Sequence, residues 1–140
     1  MKRIALLVVI AACSKSEEKK PAPPAAGKPG VISGEIDVKS EMKESVAKHV
    51  VFVSAKSPGG KGPPLAAEKL GSATFPMSFE LSADDQMIQG GPPFEGEVEI
   101  TVRFDADGDV MTRAPGDLVW KGPATVGGAP MKIVVSEAAN

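Results

Sequence analysis

The chain is poor in reactive side chains: one cysteine, one histidine, one tryptophan and no tyrosine among 140 residues. A blue-copper centre needs two histidines and a cysteine, and multi-histidine metal sites need more imidazole than His49 alone supplies. Strong positive charge is also missing. Once Lys2 and Arg3 leave with a signal sequence, 14 basic residues face 18 acidic ones, a balance of −4 that does not suit collecting nucleic-acid phosphates. Long apolar runs are absent as well. The longest, Ile4 to Ala12, would rise only about 14 Å as a helix, under half of a ~30 Å hydrocarbon core.

What is present at the start has a clear pattern. Basic Met1-Lys2-Arg3, the short apolar run and the small residues Ala11-Ala12 before Cys13 make a bacterial export signal with a lipobox, so residues 1–12 are expected to be removed. Cys13 is then the lipidation site, and two or three acyl chains at ~0.8 kcal/mol per buried CH₂ would hold it on a membrane. No thiol is left over for a disulfide or a thiolate metal site. Because Ser14 rather than aspartate follows the cysteine, the outer membrane is slightly favoured over the inner, with the protein facing the periplasm. Residues 13–30, rich in Pro, Ala and Lys and devoid of aromatic or branched aliphatic side chains, are expected to form a disordered tether.

The remaining residues, 31–140, are one domain's worth and read as all-β. Val98 to Asp105 alternates strictly between apolar and polar; Phe75-Met77-Phe79-Leu81, Ile36-Val38 and Met131-Ile133-Val135 repeat the period. His49 to Ala55 is nearly continuous in apolar residues, which predicts a central strand covered on both faces. Leu65–Leu70 and Asp117–Lys121 are weaker strands, for about seven in all. Gly/Pro clusters at 57–64, 90–93, 114–116 and 127–130 separate them, which predicts an Ig-like or cupredoxin-like β-sandwich. Ser40 to Lys48 is the one helical stretch, short enough to be a single turn, with Glu41 and Glu44 near its start and Lys48 near its end.

Several groups of residues invite chemical readings, each with a plainer rival. Asp105-Ala-Asp107-Gly-Asp109 imitates a calcium loop, but Val110 stands where glycine is needed and Gly116 where a bidentate glutamate is needed, so a turn with positive φ is the better reading. Asp84 and Asp85 point to opposite faces if extended, which favours a turn or helix cap over acid/base catalysis. His49 is read as a rim residue bonded to backbone or water. Met77, Met87, Met111 and Met131 suggest a thioether copper site; core packing explains Met77 and Met131 better. No catalytic arrangement and no cofactor are expected.

The order of segments resembles the C-terminal periplasmic domain of the cytochrome c maturation protein family CcmI, also called CycH. The resemblance rests on Gly34-Glu-Ile-Asp-Val38, the strand and Gly-Pro loop of 51–70, FPMSFEL at 75–81 with Asp84, Asp85 and Met87, VEITVRF at 98–104, and Gly116-Asp117-Leu118. Lys56 stands where that family usually has arginine. The resemblance implies a non-enzymatic module that contacts apocytochrome c or the cytochrome c maturation machinery. Rigid, closely approachable loops suit such contacts, which singles out Pro58, Gly59, Gly60, Pro63, Pro64, Gly90, Gly91, Pro92 and Pro93. A structural envelope lipoprotein with an unrelated partner, or a methionine-based copper binder, is the alternative.

Overall fold

The structure, a computed structural model, describes residues 27–136. The signal sequence, Cys13 and most of the tether lie outside the described residues. The alternating segments form seven strands: β1 (Ile32–Val38), β2 (Val50–Lys56), β3 (Ala66–Ser72), β4 (Met77–Leu81), β5 (Glu97–Asp105), β6 (Leu118–Thr125) and β7 (Met131–Val135). They make two sheets, of order β4-β1-β7 and β3-β2-β5-β6, as the sandwich reading expects. Every pairing is antiparallel except β1 with β7.

One apolar core fills the space between the sheets. Val98, Ile100, Val102 and Phe104 of β5 face Ile36, Leu81, Ile133 and Val135 of the other layer, all nearly or fully buried. Each such side chain contributes ~1.5–3 kcal/mol by leaving water. Gly34 of β1 has a specific reason to be glycine. A Cβ there would lie 2.3 Å from the Met131 carbonyl oxygen and 2.9 Å from the Phe79 ring, so any larger residue would push β1 off both neighbours.

Three local expectations need correcting. β2 is central, between β3 and β5, but it is not covered on both faces. Val51, Val53 and Ala55 are fully buried, whereas Val50, Phe52, Ser54 and Lys56 are half-buried, because a two-layer sandwich packs only one face of each sheet. The Ser40–Lys48 helix is as short as expected, a 3₁₀ turn at Ser40–Met42 and a single α-helical turn, α1 (Lys43–Val46), but it ends early, at buried Val46, which leaves Lys48 beyond it. Finally, β6 runs past Gly122 and Pro123 to Thr125. It is an edge strand, where proline's missing N–H costs no ladder bond.

A groove on the outer face of the four-stranded sheet

The strand register sets out the outward face of the larger sheet row by row. Lys69, Phe52, Arg103 and Val119 lie side by side across β3, β2, β5 and β6. The next row is Ala67, Ser54, Thr101 and Lys121. Its first three side chains are small, so the sheet surface is hollow there and bulky above. Phe52 supplies an apolar floor, with the Lys69 ammonium 5.8 Å from its ring centroid, a cation–π contact at the sheet surface. Pro64 and Met87 close one end, and Val110, Met111 and Arg113 the other, around a cavity of about 940 Å³.

The wall at the second end is residues 106–117, which link β5 to β6 and fold back over the sheet. Arg103 holds that loop. Its Nη1 donates to the Val110 carbonyl at 2.9 Å, and its Nη2 donates to the Thr112 carbonyl and, at 2.8 Å, to Asp117 Oδ2. Nη2 also lies 2.7 Å from Oδ2 of Asp105, an ionic contact rather than a directed hydrogen bond. Asp105 itself is fully buried, and its Oδ1 accepts the amides of Asp107, Gly108 and Asp109 at 3.2, 2.8 and 3.1 Å. Asp117 Oδ1 accepts Ala106 N at 2.9 Å, and Oδ2 accepts Ala114 N at 3.0 Å. The aspartates therefore serve as loop-fasteners, with Gly108 at φ +77° as the turn reading requires. The connection is twelve residues long (106–117) rather than a two-residue hairpin.

Their acidities follow from these contacts. Burial pushes the Asp105 carboxyl up, and the nearby Asp107 carboxyl adds to the rise, against the Arg103 charge. Asp107 is drawn down to about 2 by the Thr112 hydroxyl and the Asp109 amide. Burial would raise Asp117, but the amides of Ala106 and Ala114 and the Arg103 guanidinium outweigh it and leave Asp117 low.

The groove carries charge of one sign against the trend of the domain. Residues 27–136 contain eleven Lys and Arg against fifteen Asp and Glu. The groove lining holds five of those cations, Lys56, Lys69, Arg103, Arg113 and Lys121, against only Glu68 and Asp117. Arg103 and Asp117 are spent on each other. Among the described residues, Lys56, Lys69, Arg113 and Lys121 form no salt bridge. Low-dielectric walls beneath charges of like sign strengthen the field in the hollow.

The residues singled out in the sequence fall unevenly around this site. The 57–64 and 86–93 segments lie at the same end of the sheet: the Met87 amide bonds to the Leu65 carbonyl at 3.4 Å, and Gln86 bridges to Ala66. Pro64 reaches the groove, whereas Pro58 and Gly59 line a separate hollow of about 590 Å³ beside Glu97–Glu99 and Lys121–Thr125. Gly60 packs on the Glu99 carboxylate, Gly90 has φ +73°, and the Pro92 carbonyl accepts from the Gln86 side chain at 3.1 Å. Pro63, Gly91 and Pro93 do not line the groove.

His49 is buried, and its Nε2 meets the Gly116 carbonyl at 3.0 Å, the backbone bond expected of a rim histidine. Asp85 completes a capping box with Ser82 around a 3₁₀ turn, in line with the capping expectation. The methionines divide. Met77 packs in the core and Met131 against it, while Met87 and Met111 are 62% and 88% exposed at opposite ends of the groove. Arg103, Lys69 and Lys121 were not singled out by sequence reasoning, and Asp105 was read only as part of a turn. The available signal was Phe52, an aromatic on the outward parity of β2.

Comparison with known proteins gives one result. The sequence model of the cytochrome c-type biogenesis protein H Ig-like domain matches residues 32–136, from the first residue of β1 to just past β7. Neither the curated proteins nor the solved structures yield a significant match. Because the match takes in the whole sandwich, the chain belongs to the cytochrome c-type biogenesis protein H Ig-like domain family.

Proposed function

We propose that this protein is a periplasmic binding module of cytochrome c maturation, tethered to the envelope by lipid on Cys13 and devoid of catalysis. The observation that carries the reading is that the family domain accounts for the complete seven-stranded sandwich. A concave, partly apolar sheet surface supports a holding role, since clefts of this size bind by shape and a few polar contacts. Apocytochrome c or a component of the maturation machinery is the partner, met through the groove and the adjoining Gly/Pro loops around Pro58–Pro64 and Gly90–Pro93. Among the described residues no helix is long and apolar enough to cross a membrane.

The test is genetic. Deleting the gene should lower covalently bound haem in c-type cytochromes, and the full chain should restore it while a Cys13→Ser chain should not. Normal cytochrome content in the deletion strain would contradict the proposal and favour an envelope protein with another partner.

A further inference from the structure

We infer that the groove on the four-stranded sheet receives a polypeptide segment that carries carboxylates beside apolar side chains. This deepens the functional proposal by assigning the chemistry of its partner. Charge complementarity is the first argument: four cations at the groove, Lys56, Lys69, Arg113 and Lys121, lack a salt-bridge partner among the described residues, in a domain whose acids outnumber its bases. An acidic segment gains both attraction and faster encounter there. A basic one is repelled.

The second argument is apolar. Met87, Val110 and Met111 are 62%, 48% and 88% exposed, at both ends of a hollow floored by Phe52 and Ala67. Unbranched thioethers adapt to different apolar side chains, which is why methionine suits surfaces that grip amphipathic segments. The floor is rigid because it is sheet, and the far wall is fixed by Arg103 and Asp117. A polypeptide laid along β2 and β5 can meet Met87 at one end and Met111 at the other.

The experiment uses the purified chain and a fluorescent peptide of roughly 14 residues, with leucine and methionine at helical i, i+3, i+4 spacing and glutamate between. Anisotropy should show saturable binding, about tenfold or more tighter than to the same peptide with lysine replacing glutamate, and weaker at high salt. The double variant Lys69→Glu/Lys121→Glu should lose that preference while keeping the wild-type melting temperature. If that variant does not fold, Lys69→Gln/Lys121→Gln serves, with a smaller loss. No binding of the acidic peptide, equal binding of both peptides, or binding unchanged by the substitutions would overturn the inference. So would flotation with anionic phospholipid vesicles that is stronger than peptide binding and lost in the same variants, since the surface would then be a lipid contact. These outcomes are separate from cytochrome content in the deletion strain, which bears on the functional proposal alone.

Discussion

The two outward faces of the sandwich are built from the same alternating pattern and present opposite surfaces. On the three-stranded sheet, Ser33, Glu35 and Asp37 of β1 stand between Ser78 and Glu80 of β4 and Lys132 and Val134 of β7, a face whose Asp37 and Glu80 are paired with Lys43 and Lys28. On the four-stranded sheet the equivalent positions at the groove are Phe52, Ser54, Lys69, Thr101, Val119 and Lys121, hollow, partly apolar and cationic, with a loop folded over one end and Glu97 and Glu99 farther along β5. Inward residues on both sheets, aliphatic apart from Met77, Phe79 and Phe104, fill one shared core and decide that the domain folds. The outward residues distinguish a wet face from a working one.

Substitution in the shared core should break both faces together and have the largest effect. Phe104 is fully buried and its ring centroid lies 5.8 Å from that of Phe75, so Phe104→Ala is expected to cost about 3–5 kcal/mol. Chemical denaturation would register it as a lower midpoint for the entire domain. Arg103→Met should act on one face only. Removing the guanidinium leaves Asp105 buried without its counter-charge, and since the Arg103 side chain is 15% exposed the cost belongs near the low end for such pairs, about 3 kcal/mol. Hydrogen exchange should then rise in 106–117 while β1, β4 and β7 stay protected. Equal loss of protection on both sheets would show that the loop is not a separable wall.

Acid should act on both faces with a smaller effect. Asp107 and Asp117 lie below their ordinary value of 3.8 when folded, so the stability they confer is present above 3.8 and is lost as the pH falls toward 2. Asp105 has the opposite sign: its raised pKa means that folding favours its protonated form, so it partly offsets the loss. The loop over the groove should therefore loosen on acidification, as followed by amide exchange along a pH series, and the Lys43 contact that draws Asp37 down on the other sheet should weaken with the same sign. Asp107→Asn should flatten that dependence; a slope identical to wild type would place the acid-sensitive groups elsewhere.

The core was legible in the sequence because alternation is a strong signal: β5, β4 and β7 were found at nearly their observed bounds, whereas β1, read from Ile36 and Val38, begins four residues earlier at Ile32. Boundaries failed where context overrode local chemistry. β6 was read only over Asp117–Lys121, but on an edge strand Pro123 interrupts no pairing on its outer side, and Lys48 reads as a helix terminus although the chain turns two residues earlier around buried Val46. The groove was hidden for a different reason. Its floor is assembled from alternate residues of four strands, and only pairing register brings Lys69, Phe52, Arg103 and Val119 into one row. The apolar run at 49–55 held the clue, since its outward Phe52 is half-buried and floors a groove walled at one end by a loop rather than packing against a second sheet. Likewise Asp105-Ala-Asp107-Gly-Asp109 was recognisable as a turn, but not as the fastening of a wall to Arg103.

The most direct measurement exchanges the charge of one face at a time in cells and reads covalently bound haem in c-type cytochromes. The chain carrying Lys69→Glu and Lys121→Glu should fail to restore a deletion strain, while Glu35→Lys with Glu80→Lys on the opposite sheet should restore it, both proteins accumulating to wild-type levels. Full restoration by both, or failure of both at equal abundance, would contradict the assignment of function to the outer face of the four-stranded sheet.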